Sequence, residues 1–367
     1  MAVQLAQICS GRDNNLNLIR MVAASCVLVS HAWPVANGTG AIEPLQTLIG
    51  HSMGWVSVGI FFVISGFLIP RSYDTARRRA DWIAARIMRL FPGLAVVLFL
   101  TILLIGPWAT TLSGTAYWGD ARTWIYIPRN LSLVFLQYEL PGVFGEAPYV
   151  GTINGSLWTL IHEVLCYVCV FIAGVCGFLG HKRRMLIAFV AYLVFYVGLM
   201  FLPQDLVPSR AFAFRDLSFP FALGTVFYIW RERIWLSWRI LAGLTLVMVA
   251  GNWTPIFDQI FLIWLAYATF VLAYIPAHAW VRAYNKIGDY SYGTYIYAFP
   301  VQQMANHLSG YDQSPWTNIM FSFPVTLVLA ILSWHFVEKP GLALRGRVAD
   351  GLSRMNPRAF RARAPRA

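Results

Sequence analysis

Long apolar segments separated by short polar stretches recur along the chain from residue 15 to residue 337. An α-helix crosses the hydrocarbon of a bilayer with ~20 apolar residues, and these segments have about that length. The pattern therefore predicts an all-α polytopic membrane protein with about ten transmembrane helices. The predicted spans are residues 15–36, 54–70, 90–107, 155–179, 185–203, 212–230, 238–252, 256–276, 287–308 and 317–337.

The composition agrees with a membrane protein. Apolar residues make up 58% of the 367 residues, charged residues make up 12%, and the mean hydropathy is +0.58. A soluble domain carries about 25% charged residues. The first apolar run lacks the basic start and small-residue cleavage site of a secretory signal peptide, and it contains Arg20 and His31. It is therefore predicted to be the first span.

Basic residues are concentrated in every second segment between the predicted spans. The opposite segments hold only Arg122, Arg129 and Arg210, although the chain has 28 Lys and Arg residues and a net charge of +12. Because Lys and Arg stay on the cytoplasmic side, both termini are predicted to be cytoplasmic, in a multi-pass protein of the plasma (inner) membrane. The charge follows from this topology and from attraction to membrane lipid headgroups, and it does not indicate a nucleic-acid partner.

Residues 1–338 are predicted to form one membrane domain, and residues 339–367 a basic, disordered cytoplasmic tail. The longest predicted outer segment, residues 108–154, is rich in Trp and Tyr. Such side chains suit a membrane interface, and their faces also suit sugar rings. Cys166 and Cys169 form a C-x-x-C pair without accompanying ligands, so the pair is predicted to pack rather than to bind a metal ion.

Two ionisable residues, Arg20 and His31, lie eleven positions apart in the first span. Eleven residues make three helical turns with ~20° left over, so both side chains lie on one face, ~16 Å apart along the axis. One interpretation is structural, with Arg20 reaching the inner membrane surface and His31 hydrogen-bonded to a neighbouring helix. The other is functional, because ionisable groups inside a membrane are costly and mark functional sites.

Other polar residues in or beside the spans are candidates for the same site. Glu163 is predicted to lie at the depth of His31, where a carboxylate would fix the tautomer of the imidazole. Its neighbour His162 points about 100° away and is the weaker candidate. Ser65 belongs to a run of small residues that permits close helix packing or leaves room for a ligand.

Arg86 and Arg89 lie three positions apart in the predicted cytoplasmic loop at 71–89, which follows the second span. On a helix this spacing directs both guanidinium groups to one side, an arrangement that suits phosphate groups. The general excess of basic residues on the cytoplasmic side explains the same pair without any ligand.

Further stretches of the chain join these candidates: GIFFVISGFLI at 59–69, Pro92 after Arg86 and Arg89, SLWTLIHEVLCY at 156–167 with its Trp158, Glu163 and Tyr167, IGDYSYGTYIYAFPV at 287–301, and VEKP at 337–340. Together with Arg20 and His31, these stretches resemble the bacterial acyltransferase 3 family of integral membrane O-acyltransferases over most of the chain. The chain departs from the family's pattern at Gly59, Thr159, Cys166 and Ala298, so no family role is carried to those positions.

The resemblance implies an enzyme that moves an acyl group, most often acetyl, from cytoplasmic acyl-CoA to a hydroxyl of a cell-envelope or exported glycan. Lipopolysaccharide, exopolysaccharide and lipid-linked saccharides are all acceptors of this kind. The implied catalytic residues are His31 as general base and Glu163, and the implied donor-binding residues are Arg20, Arg86 and Arg89. Trp158, Tyr167 and Ser65 are expected to contact substrate or to pack. Acyl-CoA is a donor substrate, and neither a bound cofactor nor a metal ion is expected.

A different function class fits some of the same residues. A proton-coupled transporter or flippase of a glycan or lipid precursor also uses buried His and Glu, although the paired, interrupted spans of inverted repeats are not found. An inactive scaffold of glycan assembly is a third interpretation. The sequence leaves open the acceptor, the acyl length, an acyl-histidine intermediate, movement of the acyl group across the membrane, and homo-oligomers or glycan-assembly partners.

Overall fold

The computed structural model describes residues 2–11, 13–203, 205, 207–276 and 279–355. Helices dominate these residues, and the β-structure comprises the antiparallel pair β1 (Val3–Gln4) and β2 (Trp235–Leu236), an isolated bridge between Thr110 and Val143, and a bridge residue at Arg78. The all-α prediction is therefore confirmed. The α-helices are α1 Leu5–Ile8, α2 Leu16–Asn37, α3 Pro44–Ile49, α4 Met53–Thr75, α5 Arg79–Leu100, α6 Gly106–Ala109, α7 Gly114–Gly119, α8 Ala121–Leu131, α9 Trp158–Val175, α10 Lys182–Met200, α11 Ser209–Ile229, α12 Trp238–Ala250, α13 Phe257–Tyr274, α14 Ala279–Ile287, α15 Ser291–Leu308, α16 Pro315–Ser333, α17 Lys339–Ala343 and α18 Arg345–Met355.

Seven helical segments of the described chain are long and apolar enough to cross a membrane. The other three predicted spans coincide with α11, α12 and α15. The count of about ten spans and the cytoplasmic position of both termini remain predictions. The seven segments are Leu16–Asn37, Met53–Thr75, Arg79–Ala109, Gly155–Val175, Lys182–Met200, Phe257–Tyr274 and Pro315–Met355.

Helices also form where the sequence analysis expected a loop. α4 continues to Thr75 and α5 begins at Arg79, so Arg86 and Arg89 lie within a 22-residue helix rather than in a loop at 71–89. The physical cause is a capping box, in which Asp81 accepts a hydrogen bond from the backbone N–H of Arg78 at 3.1 Å. α5 runs through a π-helical turn, Thr101–Ile105, into α6.

The described part of the C-terminal tail is helical, which corrects the expectation of disorder for residues 339–355. α17 and α18 follow a π-helical turn at Trp334–Glu338. Ala349 of α18 is buried with Ala80 and Ala84 of α5. Arg78 also forms an ion pair with Asp350 at 2.8 Å. Apolar burial therefore orders this segment in spite of its charge. Residues 356–367 lie outside the described residues.

The chain divides into two compact units. The first comprises residues 1–20, 56–75 and 162–287, and the second comprises residues 21–55, 76–161 and 288–367. In the first unit, α4 and α11 approach so closely that a Cβ on Gly66 would lie 2.0 Å from the carbonyl oxygen of Phe221. Thr225 donates a hydrogen bond to the Gly66 carbonyl at 3.1 Å. Glycine is thus required at this helix crossing.

In the second unit, α15 packs along α16 and against α5. Gly293 of α15 lies against Ala330 of α16, where an added Cβ would be 2.8 Å from the Ala330 Cα. The hydroxyl of Tyr292 donates to the Leu90 carbonyl of α5 at 2.7 Å. Residues 291–300 of α15 are buried without interruption. This helix is therefore the centre of the unit.

The predicted outer segment, residues 108–154, is folded and carries the short helices α7 and α8. Tyr117 is fully buried, and its hydroxyl donates to the Ile102 carbonyl in the π-helical turn at 3.0 Å. Burial raises the pKa of Tyr117 to about 12, so the phenol keeps its proton at any ordinary pH. Tyr126 is also buried, whereas Trp108 and Trp124 are exposed. The aromatic residues of this segment are therefore of two kinds, core and surface.

Candidate active site

His31 lies on α2 in the second unit and packs against a buried aromatic ring of α15. The rings of His31 and Phe299 meet edge to face, with centroids 5.2 Å apart and planes at 76°. Phe299 in turn meets Tyr149 edge to face at 5.4 Å. The Nδ1 atom of His31 is buried and has no hydrogen-bond partner among the described residues. The histidine is therefore held by packing on one side while a ring nitrogen remains available for a ligand.

Two buried amides of α15 hold the backbone of α2 on either side of His31. Gln302 Nε2 donates to the Leu28 carbonyl and Asn306 Nδ2 donates to the Val35 carbonyl, each at 2.8 Å. Val35 lies in the last turn of α2, where carbonyls lack helical partners, so Asn306 satisfies one of them. These contacts fix the stretch of α2 that carries His31. The sequence analysis missed both amides, although Gln and Asn within an apolar span were a signal that could have revealed them.

Glu163, Ser65 and Tyr167 come together in the first unit. The Oε1 atom of Glu163 accepts a hydrogen bond from Ser65 Oγ of α4 at 2.9 Å and another from the Tyr167 hydroxyl at 2.5 Å. Tyr167 is one helical turn beyond Glu163 on α9, so the local geometry favours that contact. In the part of the chain that the structure describes, Oε2 of Glu163 accepts no hydrogen bond. Two hydroxyl donors thus orient the carboxylate and leave one oxygen for another group.

His31 and Glu163 belong to different units, and their pairing remains a prediction. Arg20 belongs to the first unit, where its guanidinium lies 5.9 Å from the centroid of the Phe61 ring. His162 is buried, with its ring roughly parallel to that of Phe214 at 6.4 Å. This face-to-face contact gives His162 a packing role.

Arg89 forms a buried ion-pair network in the second unit. Its guanidinium is 2.6 Å from Asp289 and 3.6 Å from Glu338, and the three side chains are 15%, 12% and 1% exposed. Ser291 donates to Asp289 at 2.6 Å and Ser333 donates to Glu338 at 2.9 Å. Two carboxylates therefore compensate the charge that the sequence analysis assigned to a phosphate ligand. Arg86 lies one turn earlier on the same face of α5 and is half-buried.

The start of α9, which carries Trp158, is held by α15. Asn154 donates to the Ile296 carbonyl at 2.9 Å while its side-chain oxygen caps the turn at Ser156. The Tyr295 hydroxyl makes contacts with Thr159 Oγ1 at 2.6 Å and with the Ser156 carbonyl at 3.0 Å. Trp158 itself is 41% exposed. α15 therefore contacts both the helix of His31 and the beginning of α9.

The five cysteines, all in the described chain, form no disulfide bonds. Among the described residues, no group of three His, Cys, Asp or Glu side chains is arranged to hold a metal ion.

Comparison with protein families decides the class of the chain. The sequence pattern of a family described as an acyltransferase domain, acyltransferase 3, matches residues 13–335. The chain belongs to the acyltransferase 3 family. It is accordingly an acyltransferase, and its apolar helices make it a membrane protein. His31, Glu163, Arg20, Arg86 and Arg89 of this acyltransferase all fall within the matched region.

Named relatives of this acyltransferase extend over most of its length. It is 28% identical to an O-acetyl transferase of Shigella phage Sf6, covering 89% of this chain and 96% of the relative. It is 27% identical to nodulation protein 10 of Rhizobium leguminosarum bv. viciae, covering 92% and 95%. A Bacillus subtilis (strain 168) protein, provisionally named a peptidoglycan O-acetyltransferase, is 24% identical over 84% of this chain and 54% of its own. No solved structure matches the chain.

Proposed function

We propose that this acyltransferase moves an acetyl group from cytoplasmic acetyl-CoA to a hydroxyl of a cell-envelope or exported glycan, in the plasma membrane. Family membership supplies the reaction class. Two relatives are named for O-acetyl transfer, one of them for transfer to peptidoglycan, and this likeness supports acetyl as the group and a glycan as the acceptor. The site observation that carries the proposal is His31, half-buried beside Phe299 with its Nδ1 atom buried and unpaired.

The proposed reaction exchanges a thioester for an oxygen ester. A ring nitrogen of neutral His31 removes the proton from the acceptor hydroxyl as a general base. The hydroxyl oxygen attacks the acyl carbonyl carbon, the carbon–sulfur bond breaks, and the proton passes from the imidazolium to the sulfur of departing CoA. We assign Glu163, which Ser65 and Tyr167 orient, the role of stabilising the imidazolium that forms.

In this proposal the donor enters from the inner side of the membrane. Arg20 and Arg86 guide the phosphates of CoA, because guanidinium groups bind phosphate well. Arg89 acts differently, because Asp289 and Glu338 already compensate its charge. We assign it the task of holding α5 in place so that Arg86, one turn away, keeps its position. The N-terminal half of α2 leads from this side toward His31, ~16 Å further along the helix.

The test is CoA release by the purified protein in lipid nanodiscs. Acetyl-CoA is the donor, and polysaccharide extracted from the envelope of the producing cells is the acceptor. Wild type is expected to release CoA only with acceptor, and His31→Ala to abolish release. The control is His307→Ala, because Nδ1 of His307 is already engaged by the Tyr311 hydroxyl at 2.7 Å.

Each result has a distinct meaning. Equal activity of wild type and His31→Ala would contradict the catalytic role of the histidine, whereas the acyltransferase activity itself would stand. A wild type that releases no CoA, but moves a labelled glycan or lipid precursor across a sealed vesicle, would support the transporter interpretation instead.

A further inference from the structure

Gln302 and Asn306 each leave one polar atom unused in the α2–α15 contact. A backbone carbonyl can only accept, so the amide nitrogen of each side chain must face α2 and the amide oxygen must face away. Gln302 Oε1 and Asn306 Oδ1 have no hydrogen-bond partner among the described residues, and both residues are 0% exposed. An amide oxygen buried without a donor costs free energy, so each needs an O–H or N–H from another molecule.

The position of these oxygens relates them to His31. Leu28 and Val35, the residues whose carbonyls are bound, lie three positions before and four positions after His31 on α2. Side chains lean toward the N-terminus of a helix, so the His31 ring lies over the turn that contains Leu28. Gln302 is therefore at the level of the catalytic ring, and Asn306 lies toward the C-terminal end of α2, the end predicted to face outward.

We propose that Gln302 Oε1 and Asn306 Oδ1 bind hydroxyl groups of the acceptor and so orient the hydroxyl that His31 deprotonates. This inference rests on the proposed function and names the chemistry that recognises its acceptor. Amide oxygens accept only, and a saccharide offers several O–H donors. Acyl-CoA also carries donors, the amide N–H and hydroxyl groups of its pantetheine arm, so the donor KM and the acceptor KM are measured separately to distinguish the two molecules. Water occupies the same oxygens between turnovers.

The neighbouring residue provides a matched control. Gln303 is equally buried, and its own amide oxygen is also without a partner among the described residues. Its nitrogen, however, donates to the carbonyls of Tyr149 and Thr152 at 2.9 and 2.7 Å, rather than to α2. Gln302→Met and Gln303→Met thus remove the same group from adjacent positions, and only the first lies beside His31.

The experiment uses the full-length protein in nanodiscs and the extracted envelope polysaccharide as probe. Binding of the polysaccharide is measured without donor, and the KM for acceptor and for acetyl-CoA are measured separately. Gln302→Met is expected to weaken polysaccharide binding and raise the acceptor KM about tenfold, with the acetyl-CoA KM unchanged. Gln302→Glu, whose carboxyl group in its neutral form keeps both an O–H donor for the Leu28 carbonyl and an acceptor oxygen, is expected to restore part of the binding that Gln302→Met loses.

Three results would overturn the inference. The first is an acceptor KM that Gln302→Met leaves unchanged. The second is a parallel loss of thermal stability, donor KM and acceptor KM in Gln302→Met and Gln303→Met, which is the mark of a structural brace. The third is a wild type that does not bind the polysaccharide. If wild type binds it, Gln302→Met does not, and no CoA is released, the inference about binding stands while the proposed transfer fails.

Discussion

Glu163 receives two hydroxyl hydrogen bonds on one carboxylate oxygen, from Ser65 and Tyr167. At the scale of single residues, this arrangement explains why a serine in a run of small residues is more than a packing element. Gly66, the next residue, does pack closely, against the Phe221 carbonyl. Ser65 therefore donates a hydrogen bond while the adjacent Gly66 packs, and the residue types alone do not show this difference.

Removing either donor to Glu163 is expected to lower the rate of transfer. Hydrogen bonds to charged groups contribute about 1.5–3 kcal/mol, so Ser65→Ala and Tyr167→Phe should each reduce kcat by about tenfold or more. Because both act through one carboxylate, the double variant should lose less than the product of the two single losses. Steady-state CoA release from the four proteins of this cycle provides the measurement. Strictly multiplicative losses would show that the hydroxyls act independently of Glu163.

Substitution of Arg89 is expected to affect folding more than donor affinity. Removing one partner of a buried ion pair costs about 3–5 kcal/mol, and Asp289 and Glu338 are both buried. Arg89→Ala should therefore lower the thermal midpoint strongly, and Arg86→Ala should raise the acetyl-CoA KM with a smaller change in stability. Thermal unfolding and donor kinetics of both variants distinguish the roles. A stable Arg89→Ala protein with a raised acetyl-CoA KM would show instead that Arg89 binds the phosphates of the donor.

At the scale of helices, α15 makes polar contacts with several other helices of the second unit. It donates to α2 through Gln302 and Asn306 and to α5 through Tyr292. In a membrane the hydrophobic effect does not drive helices together, because lipid tails are as apolar as the side chains. Interhelical hydrogen bonds and close packing at small residues hold the helices together instead. The apolar pattern predicted a span at 287–308, four residues early at the start of α15 and correct at its end, yet it could not name the helices that α15 contacts.

A methyl group at the α4–α11 crossing is expected to destabilise the first unit. In Gly66→Ala the new Cβ would lie 2.0 Å from a backbone oxygen, which cannot rotate away, so the helices must separate. Overpacking costs about 1–3 kcal/mol. Gly198→Ala on α10 is the control, since nothing lies within 4 Å of its Cβ position and alanine favours helix. Unfolding in mild detergent should show a lower midpoint for Gly66→Ala alone, and equal midpoints would contradict the close approach.

At the scale of the whole molecule, the uneven distribution of Lys and Arg still predicts the orientation of the chain. The C-terminal basic stretch now includes helix α18, whose Ala349 is buried with Ala80 and Ala84. Order in this stretch comes from burial of a short apolar face, a contact between parts of the chain that are far apart in sequence. Charge density alone therefore predicted disorder incorrectly for residues 339–355.

Reporter fusions test the predicted topology. A fluorescent protein joined after residue 367 is expected to fluoresce, because such reporters fold in the cytoplasm. An alkaline phosphatase inserted within residues 108–154 is expected to be active, because it needs the outer compartment. The reciprocal fusions serve as controls and should be silent. An active phosphatase at residue 367 would mean an odd number of spans or an inverted chain.

The amino-acid sequence by itself determined the helical membrane class, the family and the residues most worth testing. These follow from local properties, namely the length of apolar runs, the side on which charge accumulates and short motifs. Only the tertiary structure decided which side chains meet. Asp289 compensates Arg89 from two hundred positions away, and Gln302 and Asn306 hold the turns around His31 from almost the far end of the chain. Such contacts depend on which helix faces pack together, and a helix of the right length and polarity can pack in many ways.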